Sequence, residues 1–111
     1  MHMGSLPIAG SLKPANLLHV VFNNSAHESV GGQPTVAGKI DFKTLVTACG
    51  YSAYEKAHDE ESLRAALARL QKAEGPAFLE VLVEAYSRDD LGRPKSTPEQ
   101  NKLAFIEAAR G

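Results

Sequence analysis

The sequence predicts an α/β fold, a partial parallel sheet flanked by helices, and three observations carry that prediction. Short apolar runs occupy residues 17–22, 51–57 and 78–85. The segments around and between them repeat their apolar residues at helical spacing and carry helix start signals. A long polar stretch, residues 23–38, follows the first run and fits neither period. Strands that alternate with helices join in parallel, because each crossover returns the chain to the same end of the sheet.

Residues 1–12 are small, apolar and interrupted by Gly4, Pro7 and Gly10. They read as a helix packed closely against a neighbour, without a start signal of its own. Lys13, Pro14, Ala15 and Asn16 make a turn. Leu17, Leu18, His19, Val20, Val21 and Phe22 form a nearly continuous apolar run, the pattern of a strand covered on both faces. After the polar stretch, Asp41 caps a helix whose Phe42, Leu45, Val46 and Cys49 share one face. Gly50 stops it. The weaker strand at 51–57 leads to Asp59, a second cap, with Glu60 and Glu61 where the helix dipole favours acids. Leu63, Ala66, Leu67 and Leu70 are its buried stripe, and Gly75 and Pro76 close it. Residues 78–85 are the strongest strand, with Glu80 and Glu84 interrupting one face. A polar loop follows. Thr97 and Gln100 then form a capping box around Pro98, opening a last helix that carries Leu103 and Ile106.

The chain has 111 residues and a formal net charge of −1. That length suits one domain, 1–111. The charge gives no electrostatic reason to expect nucleic acid or an anionic membrane. Cys49 is the only cysteine, so no intrachain disulfide forms, as in a reducing compartment. No apolar run approaches the ~20 residues of a membrane span. Met1 to Leu12 lacks the basic start of a signal peptide. A soluble cytoplasmic protein is the expectation.

The chemistry concentrates in residues 23–38. A loop of this length in a small domain is functional or disordered, and open α/β sheets bind ligands beyond the carboxyl ends of their strands. Asn23 and Asn24 place neutral amide oxygens there. With loop carbonyls, such oxygens suit magnesium or calcium. Magnesium also shares its shell with phosphates. Gly31 and Gly32 permit close backbone approach to a ligand. On local sequence alone, the Asn-Asn pair reads equally well as a simple turn.

Residues 17–35 resemble the end of the thiamine diphosphate motif, which runs from Gly-Asp-Gly to Asn-Asn across a helix and a strand. The continuation Asn23-Asn24-Ser25-Ala26-His27-Glu28-Ser29-Val30-Gly31-Gly32-Gln33-Pro34-Thr35 is similar to the phosphonopyruvate decarboxylase family. Met1-His2-Met3-Gly4-Ser5-Leu6 looks like the helix after Gly-Asp-Gly in that family. Ser87-Arg88-Asp89-Asp90-Leu91-Gly92-Arg93-Pro94, with Thr97-Pro98 and Asn101-Lys102, resembles its C-terminal segment. The resemblance implies a truncated thiamine diphosphate-binding domain. In it Asn24, through its side-chain oxygen, and Ala26, through its carbonyl, hold Mg2+ against the cofactor diphosphate. Ser29, Gly31 and Gly32 belong to the same cofactor loop, and His27 and Glu28 lie near the thiazolium as an acid/base pair. The implied reaction turns 3-phosphonopyruvate, a 2-oxo acid, into phosphonoacetaldehyde and carbon dioxide.

No Gly-Asp-Gly occurs in the chain, so the aspartate that shares the magnesium in the family is missing. So is the pyrimidine-binding domain or subunit. The expectation is a fragment or one part of a split enzyme, inactive alone and self-associating as a homo-oligomer. Two alternatives stay open: a sulfopyruvate decarboxylase subunit, and a non-catalytic binding or structural fragment.

Other residues have plainer readings. Arg88, Arg93 and Lys95 either hold a phosphonate, since arginine binds such groups through a planar fork, or pair with Asp89 and Asp90. His19 is a hydrogen-bonded core histidine. His2 and His58 lie on the surface, and the four histidines lack zinc spacing. Cys49 is a buried small hydrophobe. Arg64, Arg69 and Lys72 lie on a solvated helix face.

Overall fold

The most apolar of the three strands sits in the middle of the sheet. The computed structural model describes residues 3–111. In order they form α1 (Ser5–Leu12), β1 (Leu18–Asn23), β2 (Ala26–His27), β3 (Gln33–Pro34), α2 (Phe42–Ala48), β4 (Ala53–Ala57), α3 (Glu60–Leu70), β5 (Ala77–Leu82) and α4 (Pro98–Arg110). The main sheet has the order β1-β5-β4 and both pairings are parallel. The α/β prediction holds, as do the caps. Asp41 accepts from the Thr44 amide. Asp59 and Ser62 close a capping box on α3, and Thr97 and Gln100 close one on α4. Met1 and His2, part of the expected first helix, lie outside the described residues.

The central strand explains both layers of the core. Ala77, Leu79 and Val81 of β5 face α3 and pack with Ala57, Ala66 and Leu70. Phe78 points the other way, among Leu6 of α1, Val46 of α2 and Tyr51. A residue flanked by strands on both sides and helices on both faces has no route to water, and Phe78 and Leu79 are fully buried. Phe78 anchors an aromatic group: Phe42 and Tyr54 lie parallel to it at 6.2 Å, and Tyr51 meets it edge-on at 5.6 Å. Such pairs add about 0.5–1.5 kcal/mol each beyond area burial.

Three expectations change. β1 is not covered on both faces: it is an edge strand, and Val20 and Phe22 are exposed, Phe22 at 69%. Those side chains share the α3 face of the sheet with Leu18, and α3 packs over β4 and β5, reaching only Leu18. Residues 23–38 are not without secondary structure, since β2 and β3 pair as an antiparallel hairpin, with one short 3-10 turn inside its loop and a second after it. Glu80 interrupts one face of β5 as expected, and does so buried, at 2% exposure. α3 stops at Leu70, short of Gly75.

α1 meets α2 at a pair of glycines. Gly10 packs so closely on the end of α2 that any Cβ there would collide with the Cys49 carbonyl. This close approach, invisible in composition, seats Leu6 against Phe78. α4 is capped as expected but buries none of its residues, and Leu103 and Phe105 are exposed. Among the described residues no helix is long and apolar enough to cross a membrane.

Candidate functional site

β1 ends at Asn23, so Asn23 and Asn24 stand at the carboxyl edge of the parallel sheet. An open pocket of about 400 Å³ lies there, bounded by α1, the second half of β1, the hairpin and Ile40. Its floor is apolar, with Leu6, Val21, Phe42 and Phe78, and its rim carries Asn23, Asn24, Ser25, Ala26 and His27. An apolar cleft with a few convergent polar groups is the usual form of a small-molecule site.

The corner at 23–26 is built from two successive side-chain-to-backbone bonds. Asn23 Oδ1 accepts from the Ser25 amide at 3.0 Å, and Asn24 Oδ1 accepts from the Ala26 amide at 3.0 Å. Between them Ser25 adopts φ of 54°, a left-handed conformation uncommon outside glycine, asparagine and aspartate. Each backbone N–H is a donor only, so both amide oxygens are identified by their partners. An amide oxygen has two lone pairs, so Asn24 Oδ1 retains one beyond its bond to Ala26. Ala26 lies opposite Pro34 across the hairpin. Thr35 donates its N–H to the Ser25 carbonyl, which makes Ala26 and Pro34 a non-hydrogen-bonded pair of the ladder, so the Ala26 carbonyl turns away from β3.

The expected residues divide into two groups. Asn24, Ala26 and His27 come together on the pocket rim. Glu28 stands just behind, accepting from Ser87 Oγ at 2.6 Å and, at a longer 3.4 Å, from Asn24 Nδ2. That contact ties the hairpin to the segment after β5. Ser29, Gly31 and Gly32 lie at the turn of the hairpin, outside the pocket lining. Gly31 and Gly32 have φ of 87° and 71°, which glycine adopts without steric penalty. Arg88 closes a two-point ion pair with Asp90 at 2.6 and 2.8 Å. Arg93 is exposed, and neither arginine lines the pocket.

His19 also lines the pocket. Its Nδ1 lies 2.9 Å from the Tyr51 hydroxyl, and its ring packs at 5.0 Å on Phe78, the hydrogen-bonded core role expected of it. Sequence reasoning missed Glu80. Its carboxylate accepts from Asn23 Nδ2 at 2.7 Å and from the Tyr54 hydroxyl at 2.6 Å, with Lys56 Nζ at 3.6 Å. Burial, and then the bond to Glu80, pushes the Tyr54 hydroxyl pKa well above its ordinary value, so Tyr54 stays a donor. The signal was a lone carboxylate inside the apolar run Phe78-Leu79-Glu80-Val81-Leu82.

Charged metal ligands do not gather at the pocket. Among the described residues no three His, Cys, Asp or Glu side chains are close enough to form a metal set. A divalent cation there would take neutral oxygens from this chain and negative oxygens from a ligand, the donor set magnesium uses with phosphates.

Residues 1–81 match the family model described as thiamine pyrophosphate enzyme, C-terminal TPP binding domain. The chain is 38% identical over 105 residues to a phosphonopyruvate decarboxylase of Streptomyces viridochromogenes, an alignment covering 95% of this chain and 26% of that protein. It is 34% identical over 109 residues to a phosphonopyruvate decarboxylase of Streptomyces hygroscopicus, covering 98% of this chain and 27% of that protein. The chain thus spans about a quarter of the length of these curated relatives.

Proposed function

The chain belongs to the thiamine pyrophosphate enzyme family, as a C-terminal TPP binding domain, and from that premise we propose that it forms the diphosphate-and-metal half of the site in a Mg2+-dependent decarboxylase acting on phosphonopyruvate. The substrate follows the two relatives named for it. The observation that carries the reading is the 23–26 corner. It presents one remaining lone pair of Asn24 Oδ1 and a carbonyl at Ala26 beside an apolar pocket at the sheet's carboxyl edge.

These residues fit the cofactor. Two neutral oxygens suit an ion that also binds a diphosphate, and the apolar floor suits a ring system. When bound, thiamine diphosphate supplies the electron sink for the charge left as carbon dioxide departs. The protein's part is to hold and orient. Asn24 and Ala26 hold the cation, and the Phe42 and Phe78 floor keeps water from the reacting end. His27, on the rim, is the residue this reading assigns to proton movement, since its two ring nitrogens can both donate and accept, with Glu28 behind it. Arg88 would have to exchange Asp90 for a phosphonate, so Arg93 comes first as a substrate contact.

The rest of the active site comes from a pyrimidine-binding partner domain or subunit and from association of copies. The uncovered β1 side chains Val20 and Phe22 and the exposed Leu103 and Phe105 of α4 support that reading. The one free cysteine, Cys49, is in keeping with a cytoplasmic setting.

Titration calorimetry of the chain with thiamine diphosphate, with and without magnesium, tests the reading. Binding should require magnesium and weaken at least tenfold in Asn24→Ala, the range typical of a lost metal-site contact. Magnesium-independent binding, or equal affinity in the variant, refutes it.

A further inference from the structure

The most buried charge in the structure touches neither the pocket nor the solvent. Glu80 lies on the central strand, opposite Val21 of β1 and Lys56 of β4. A lone carboxylate in that position would be costly to bury, and the cost is offset by its polar neighbours, all of them donors, with Lys56 Nζ at 3.6 Å. Asn23 Nδ2 and the Tyr54 hydroxyl both bond to it within 2.7 Å.

The consequence runs through one side chain. Asn23 is itself 8% exposed, and its amide has two different ends. A carboxylate only accepts, so the Nδ2 end must face Glu80. The Oδ1 end is thereby turned toward Ser25, where it accepts from the amide at 3.0 Å and from Oγ at 3.4 Å. That bond holds Ser25 in its left-handed conformation. Ser25 stands between the two residues whose oxygens face the candidate cation. Reversing the Asn23 amide would set its NH2 group against the Ser25 N–H, donor against donor, and release the corner.

We propose that Glu80 is a positioning residue: acting through Asn23, it holds residues 24–26 in the geometry that offers the Asn24 and Ala26 oxygens to a divalent cation. The inference rests on the reading of that corner as the metal half-site. Glu80 does not touch the ion. Its effect passes from carboxylate to amide to backbone, as partners behind metal ligands commonly act.

The test uses the full chain and two measurements. One is hydrogen exchange at the Ser25 amide by nuclear magnetic resonance, without cofactor. The other is Mn2+ affinity in the presence of thiamine diphosphate, with Mn2+ as the magnetic stand-in for Mg2+. Glu80→Met should lower Ser25 protection and weaken Mn2+ binding about 10–100-fold. Glu80→Gln keeps an acceptor oxygen for Asn23 and should restore most of both. Adding Glu80→Met to Asn23→Ala should change neither further, because the two act in one chain of bonds. If Glu80→Met fails to fold, Glu80→Met with Tyr54→Phe removes the stranded hydroxyl and takes its place, since losing both partners of a buried bond is milder than losing one.

Unchanged Ser25 protection in the Glu80→Met chain overturns the proposal, as does an effect that adds to that of Asn23→Ala. A purely structural role would loosen β5 amides along with Ser25 and would not be rescued at the corner alone. Absence of Mn2+ binding in the unsubstituted chain refutes the metal half-site itself. That failure is distinguishable, because it needs no variant and leaves the Ser25 comparison readable.

Discussion

Substituting Gly10 by alanine should detach α1 from the domain. A Cβ at Gly10 would run into the Cys49 carbonyl and come within 3.3 Å of the Gly50 Cα. Both are backbone atoms at the end of α2, so neither can swing aside as a side-chain tip does. α1 must retreat, and it carries Leu6, which is 5% exposed. Overpacking of this kind costs about 1–3 kcal/mol, and partial exposure of Leu6 adds about 1–2 from a full value near 1.5–3. The better helix propensity of alanine returns up to about 1. The net loss is about 2–3 kcal/mol. With a urea dependence of about 1–3 kcal/mol per molar for small proteins, the unfolding midpoint should fall by about 1–2 M. Circular dichroism in urea measures it. Gly38→Ala is the control. Its new methyl meets only Ser25 Oγ at 3.8 Å, an ordinary contact. Loss of unfolded-state entropy should raise stability there by about 0.4–1 kcal/mol. A Gly10→Ala midpoint equal to or above that of the parent chain would refute the close-packing argument, since propensity alone predicts that result.

Other consequences follow from the same packing. Leu79→Ala empties a site with no exposure between β1 and β4 and should cost about 2–5 kcal/mol; less than about 1 in urea unfolding would mean the centre of the sheet collapses around the gap. Stability should fall in acid. Glu55 is held below its ordinary 4.5 chiefly by the hydrogen bond from Arg69, and the caps Asp41 and Asp59 below 3.8 by Thr44 and Ser62. In each case the folded chain binds the proton less readily than the unfolded one. The stabilisation is therefore complete above about 4.5 and is lost as pH falls through the lowered values. A melting temperature that holds steady from pH 6 to pH 3 would contradict this. The amides of α4 should exchange faster than those of α3, because α4 buries no residue and local opening there exposes little. Equal protection of the two helices would show that α4 is docked.

The capped helices, the alternation of helix and strand and the polar stretch after β1 were legible because they depend on neighbours within a few residues. Asp59 finds Ser62, and Thr97 finds Gln100, through bonds that close inside one helical turn. The same locality made the Asn23-Asn24 pair readable as a turn, since its side-chain bonds span two positions, whereas Ala26 entered only through the family resemblance.

What the tertiary structure alone decided concerns residues far apart in sequence. The order β1-β5-β4 puts the last strand in the middle, which leaves β1 at an edge and exposes Phe22, although its apolar run matches that of a covered strand. The bond between Asn23 and Glu80 links positions 57 apart, and no periodicity distinguishes a carboxylate that ends in water from one that ends in the core. Gly10 and Gly50 meet only because two helices cross there. Local bonding energies are written in neighbouring residues. Burial, and with it the cost or value of a charge, exists only once the layers have closed.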